Sequence, residues 1–170
     1  MKRKMNLLFF LSLFTLVIFT GCTSEIENEP KNTDEINTII NQIADKYIDC
    51  WNNKNLEALD SMIANDGQFY GSDPNEIMDK TGLFEMYTAF FADTTSDYQY
   101  NVNLRKIKIA LNKSTAIVME RITFPAWSPK MPMCQTTQFI NLDGVWKIDF
   151  ISWGFIIAND DVPMLNQALD

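Results

Sequence analysis

Glu120, Tyr47 and Asp73 are the groups in this chain with chemistry to offer. The 170 residues contain no histidine, so a proton relay would fall to carboxylates and phenols. Glu120 stands next to Arg121 in a β-branched stretch. Side chains alternate along a strand, so one of the two charges points inward, where it needs a partner; periodicity does not decide which. Asp73 precedes Pro74 and reads equally well as a turn residue. Tyr47 with Trp51, and Tyr87 with Phe91, sit four residues apart. That spacing aligns rings on one helix face, as the lining of a ligand site or as core. The cysteines, Cys22, Cys50 and Cys134, are scattered. Without histidine or clustered thiols a zinc or haem site is disfavoured, and no cofactor is expected.

The elements that must position these groups follow from apolar spacing. Ile36, Ile39, Ile40, Ile43, Tyr47, Ile48 and Trp51 form a helical stripe. Asn32 with Glu35 is a capping signature at its start. Asn52–Asn55 breaks the helix, and Leu56, Leu59, Met62 and Ile63 mark a short second one. Asn65-Asp66-Gly67 predicts a turn into a brief strand, Gln68–Gly71, and a polar loop then leads to a third helix over Gly82–Ala92. Beyond it the pattern alternates. Tyr98, Tyr100, Val102 and Leu104 fall on even positions and Ile107, Ile109 and Leu111 on odd ones, which predicts a bulge near Arg105-Lys106. Further strands are expected over Ser114–Phe124, Met133–Leu142 and Val145–Ile157, with Pro125–Pro132 as a loop. Phe124-Pro125-Ala126-Trp127 and Met131-Pro132-Met133 there read either as exposed contact sites or as residues tucked against the domain. Asp143-Gly144 is the strongest hairpin signal. A short helix over Val162–Leu169 ends the pattern.

The first 21 residues have a different character. Lys2, Arg3 and Lys4 precede an apolar run from Leu7 to Phe19, too short to span a membrane, and then Thr20-Gly21. Phe19-Thr20-Gly21-Cys22 resembles the lipobox of a bacterial lipoprotein signal, with Phe19 in place of the usual leucine. The resemblance implies cleavage before Cys22, lipid on Cys22 and a membrane-anchored life in the bacterial cell envelope, on the periplasmic or surface side. Residues 1–21 would be the signal, 22–32 an acidic tether and 33–170 the domain. A chain starting at Cys22 loses three of the 14 basic residues and none of the 22 acidic ones, leaving 11 against 22 and a formal charge of −11. That charge disfavours nucleic acid, and it limits membrane attachment to the lipid. Cys50 and Cys134 remain either as a pair or as two free thiols.

Helices followed by long antiparallel strands give an α+β order. Tyr47–Leu59 resembles the helix–break–helix opening of nuclear-transport-factor-2-like (NTF2-like, SnoaL-like) proteins, Phe69–Pro74 their first strand and loop, and Asp143–Ile148 their last hairpin. The resemblance implies an NTF2-like cone: three N-terminal helices packed in a curved antiparallel sheet around an open-ended apolar pocket. In the steroid-isomerase branch of this fold, a helix-1 tyrosine and a strand-1 aspartate carry proton transfer. Tyr47 matches the tyrosine. The aspartate position holds Gly71, and Asp73 lies two residues on, roughly 7 Å along a strand.

A two-residue Asp143-Gly144 turn pairs Leu142 with Val145, Asn141 with Trp146, Phe139 with Ile148, Thr137 with Phe150 and Gln135 with Ser152. The pairs from Asn141/Trp146 to Gln135/Ser152 would share the concave face, with Lys147, Asp149, Ile151 and Trp153 on the outer one. Relatives with catalytic equipment carry polar or histidine residues on this strand, where Phe150 and Ser152 stand. The expected pocket residues are therefore Tyr47, Trp51, Phe69, Tyr87, Thr137, Phe139, Trp146, Phe150 and Ser152, with no catalytic residue and no metal ligand. The leading reading is a lipid-anchored domain that binds a small apolar or amphipathic ligand, or a partner protein. The alternative is a carboxylate/tyrosine-dependent isomerase or hydratase-like enzyme using Asp73 or Glu120 with Tyr47. A third is a homodimer through an outer face carrying Ile151 and Trp153.

Overall fold

The computed structural model describes residues 32–168. The expected signal, most of the tether with Cys22, and Leu169 lie outside the described residues. Helix α1 (Thr33–Asn52) opens where the capping signature places it, with the Asn32 side chain accepting from the Glu35 N–H at 2.8 Å. It buries Ile36, Ile40, Ala44, Tyr47 and Trp51. Lys54 adopts a left-handed φ of 56° at the break, and Asn55 caps α2 (Leu56–Met62). Helix α3 (Lys80–Ala92) starts two residues before the sequence expectation, because Asp79 caps it by accepting from the Gly82 N–H at 2.9 Å.

Six strands follow or intervene: β1 (Ile63–Tyr70), β2 (Ile77–Met78), β3 (Asn101–Ile109), β4 (Thr115–Phe124), β5 (Ser128–Leu142) and β6 (Val145–Phe155). A 3₁₀ turn (Asn159–Asp161) and α4 (Val162–Ala168) end the described chain. The sheet order is β2-β1-β6-β5-β4-β3. The α+β cone is as expected, with one refinement: β1 runs parallel to β6, so the sheet is mixed. Asn65-Asp66-Gly67 is no turn. It lies inside β1, and the pairing of β1 with β6 shifts between Ile63 and Gln68 there. Pro125–Pro132 shrinks to a tight turn, since β5 begins at Ser128 opposite Phe124.

Register shifts interrupt β1–β6, β3–β4, β4–β5 and β5–β6. Each shift bends its strands and wraps the sheet around the helices. The one in β3 falls at Asn103, slightly before the expected place, and turns Leu104 outward. The one in β6 decides the site. Phe139 pairs with Ile148 but Gln138 pairs with Phe150, so Asp149 is an extra residue. Beyond it every side chain changes face relative to the uninterrupted register. Gly67 accommodates this bulge: a Cβ there would lie 3.0 Å from the Asp149 carbonyl oxygen and 2.5 Å from the Phe69 ring. Cys50 is buried in α1, Cys134 is exposed on β5, and both are free thiols.

Candidate functional site

A cavity of about 390 Å³ opens between the helices and the concave face of the sheet, within the range of small-molecule sites. Tyr47 and Trp51 enter it from α1, Met86 and Phe90 from α3, and Tyr98 and Tyr100 from the segment leading into β3. Phe124 and Trp127 flank the β4–β5 turn, Met133 and Gln135 come from β5, and Trp153 and Phe155 from β6. The loop from Gly71 to Glu76 forms part of its rim.

The walls are fixed by contacts among the rings themselves. Phe90 stacks on Tyr98 at 4.7 Å, Trp51 meets Tyr87 edge-on at 4.8 Å, and Trp127 bridges Tyr98 and Phe155 at 5.9 and 5.8 Å. The C-terminal end of α1 holds the Tyr98–Tyr100 segment: Trp51 Nε1 donates to the Tyr98 carbonyl at 2.8 Å. Asn52 receives the Tyr100 N–H and donates to its carbonyl, both at 3.1 Å.

A row of polar side chains crosses the concave face. Arg105 pairs with Glu120, Glu120 with Gln135, and Gln135 with Trp153 on successive strands. Arg105 Nε donates to Glu120 Oε1 at 2.6 Å, and Gln135 Nε2 donates to Glu120 Oε2 at 3.1 Å and to Thr137 Oγ1 at 3.3 Å. Trp153 Nε1 donates to Gln135 Oε1 at 2.8 Å. Arg105 continues the row outward to Asp45 on α1 at 2.7 Å. Glu120, only 3% exposed, is thus the inward member of the Glu120-Arg121 pair, and its partner is Arg105. Burial raises its pKa above the usual carboxylate range, and the Arg105 guanidinium opposes that rise. With both oxygens engaged it is an anchored carboxylate, not an available base.

Tyr47 and Tyr100 stand in the cavity wall, and Tyr87 lies behind Tyr47. The Tyr47 and Tyr87 hydroxyls share a hydrogen bond of 2.6 Å. The Tyr100 hydroxyl, in a residue 2% exposed, makes no well-formed hydrogen bond, and the Gln135 side chain beside it opposes the rise in its pKa. Burial raises the pKa of all three, and the nearby Glu120 charge adds to the rise at Tyr47 and Tyr100. They stay protonated at physiological pH. Among the described residues no group of His, Cys, Asp or Glu is spaced to hold a metal ion.

Of the residues expected from sequence, Tyr47 and Trp51 line the cavity. Tyr87 stands behind Tyr47 as its hydrogen-bond partner. Thr137 and Phe139 face inward in closed packing with Ala44, Tyr47 and Glu120. Phe69 and Trp146 are buried outside the cavity wall. Phe150 and Ser152 do not line the cavity. The Asp149 bulge turns them to the other face, where Phe150 packs 5.7 Å from Tyr70. The expected pairs Thr137/Phe150 and Gln135/Ser152 are replaced by Thr137/Ile151 and Gln135/Trp153. Ile151 and Trp153 accordingly point inward, not to an outer face. Asp73 lies on the rim in the expected turn, its Oδ1 accepting from the Asn75 N–H at 2.9 Å. Sequence reasoning placed Gln135 on the concave face without counting it among the pocket residues, and it missed Met86, Phe90, Tyr98, Tyr100, Met133, Trp153 and Phe155 as lining residues. The apolar positions of β6 held the signal, since they pass from even (Trp146, Ile148) to odd (Ile151, Trp153, Phe155).

The family model of a SnoaL-like domain matches residues 40–153. No curated protein matches the sequence. Among solved structures, an NTF2-like protein from Cytophaga hutchinsonii aligns with a TM-score of 0.59 at 17% identity, over 71% of this chain and 98% of its own. An uncharacterised protein with a cystatin-like fold from Caulobacter vibrioides aligns at 0.62 and 15% identity, over 78% and 99%. A putative calcium/calmodulin-dependent protein kinase II association domain from Xanthomonas campestris aligns at 0.57 and 16%, over 69% and 86%. At such identities the likeness is one of fold, and function rests on the site.

Proposed function

The chain belongs to the SnoaL-like domain family, and from that premise we propose that its cavity binds a small, largely apolar molecule with a polar end, without converting it. The carrying observation is the cavity itself, about 390 Å³ and walled by the rings of Tyr47, Trp51, Phe90, Tyr98, Trp127 and Trp153. Ser72, Asp73 and Glu76 in the loop from Gly71 supply polar partners for the polar end. The rings supply area for the apolar body. The enzyme alternative finds less support: Glu120 has both oxygens engaged, and Asp73 is held in a rim turn.

Calorimetric titration with 1-naphthol, a neutral bicyclic ring carrying one hydroxyl, tests the reading. Saturable one-to-one binding that weakens by roughly threefold or more in Trp127→Ala, which removes one ring of the wall, supports it. Absence of saturable binding counts against it. We further propose that Cys22 carries lipid and tethers the domain at the cell envelope, on the strength of the Lys2–Cys22 pattern. Metabolic labelling with a tagged fatty acid should mark the protein in cells and be lost in Cys22→Ala; label that persists there would refute the anchor.

A further inference from the structure

The charged side chains that line the cavity are all of one sign. Among the described residues, no lysine or arginine lines it, and two carboxylates, Asp73 and Glu76, stand at its rim. Glu76 reaches the rim because residue 71 is glycine: a Cβ on Gly71 would lie 1.8 Å from Glu76 Oε2 and 2.5 Å from its Cβ. Each carboxylate uses one oxygen locally. Asp73 Oδ1 accepts from Asn75, and Glu76 Oε2 accepts the Asp73 N–H at 3.0 Å. The other two oxygens have no partner among the described residues. On the inner side, Arg105 is shared between Glu120 and Asp45, so that cluster keeps a net negative charge. The Glu120 charge disfavours ionisation of Tyr47 and Tyr100, and Arg105 offsets it at Tyr100. Between these negative ends lie aromatic faces, including Trp127, which is 43% exposed at the opening. Such faces attract organic cations.

We infer that the molecule this cavity takes is an amphipathic organic cation, an arylalkylamine or quaternary ammonium. Its charge sits at Asp73 and Glu76 and its apolar body among the rings. The inference rests on the reading of the cavity as a ligand site, which its aromatic wall carries independently of the rim charges. An anion would meet carboxylates at the opening and the Glu120 cluster beyond.

The test uses three probes with one body: (1-naphthylmethyl)trimethylammonium, 1-naphthalenemethanol and 1-naphthylacetate. They are titrated calorimetrically against the full chain at neutral pH and low salt. Two carboxylates a few ångströms from an ammonium in water-like surroundings favour the cation over the alcohol by roughly tenfold, and the acetate binds weakest. Raising the salt narrows the gap. In Asp73→Asn/Glu76→Gln, which keeps both local acceptor oxygens, the cation falls to about twofold of the alcohol, and alcohol affinity is unchanged. Equal binding of cation and alcohol, or a preference that survives the double substitution, overturns the charge assignment and leaves the cavity reading standing. Failure of all three probes to bind overturns both.

Discussion

Two tyrosine-to-phenylalanine substitutions in one wall should change stability in opposite directions. Tyr100 carries a buried hydroxyl with no well-formed hydrogen bond, and an unmade hydrogen bond costs about 1–3 kcal/mol. Tyr100→Phe removes the offending oxygen and keeps the ring contacts with Trp51 and Phe124 at 6.0 and 5.3 Å. After a small loss of packing, the ligand-free protein should gain about 1 kcal/mol. Tyr47→Phe does the reverse. It breaks the 2.6 Å bond and leaves the Tyr87 hydroxyl, in a fully buried residue, without a partner. A loss of about 1–3 kcal/mol follows. Urea denaturation at pH 7 measures both, and thermal unfolding should shift by about 3 °C per kcal/mol for a domain of this size. A Tyr100→Phe variant less stable than the wild type by 1 kcal/mol or more would refute the reasoning, because its hydroxyl would then have a partner.

Other outcomes follow from the polar row. Arg105→Met leaves Glu120 buried without its cation and should cost about 3 kcal/mol at pH 8. Adding Glu120→Gln should restore most of that loss, as read by urea denaturation of the two variants; no restoration would mean that Arg105 acts through packing. Burial raises Glu120 and Asp149 above their ordinary values of 4.5 and 3.8. The folded state therefore binds protons that the unfolded chain has released, and stability falls as pH rises from those values through the raised ones. Glu120→Gln should flatten this slope above pH 4.5, and an unchanged slope would contradict the assignment. Asp93 acts oppositely: hydrogen bonds from Thr95 hold it at about 2, so its contribution is present above its ordinary value and is lost as pH falls toward 2. Asp93→Asn should flatten the acid limb.

What the sequence shows is what is local. The Asn32 cap, the α1 stripe and the Asp143-Gly144 turn, with φ of 52° and 88°, depend on neighbours a few residues apart. The first four hairpin pairs follow from that turn alone. The face of β6 beyond Asp149 does not, because the bulge is accommodated by Gly67 on a strand far away in sequence. One extra residue was enough to exchange Phe150 and Ser152 for Ile151 and Trp153 at the concave face. The ion pair of Glu120 had the same obstacle. Arg105 becomes its neighbour through the β3–β4 register, which the Asn103 bulge displaces. Tyr47 and Trp51 were legible as site residues because a helix keeps its spacing whatever the sheet does.

The central claim is that the aromatic cavity is a ligand site, and the four tryptophans give it an internal control. Trp51, Trp127 and Trp153 line the cavity, whereas Trp146 is buried outside its wall. A ¹H–¹⁵N correlation spectrum resolves one indole N–H signal from each. Titration with 2-naphthol should shift the Trp51, Trp127 and Trp153 signals together along one saturation curve, with the Trp146 signal unmoved. Four stationary signals, or a shift confined to the half-exposed Trp127, would contradict the account.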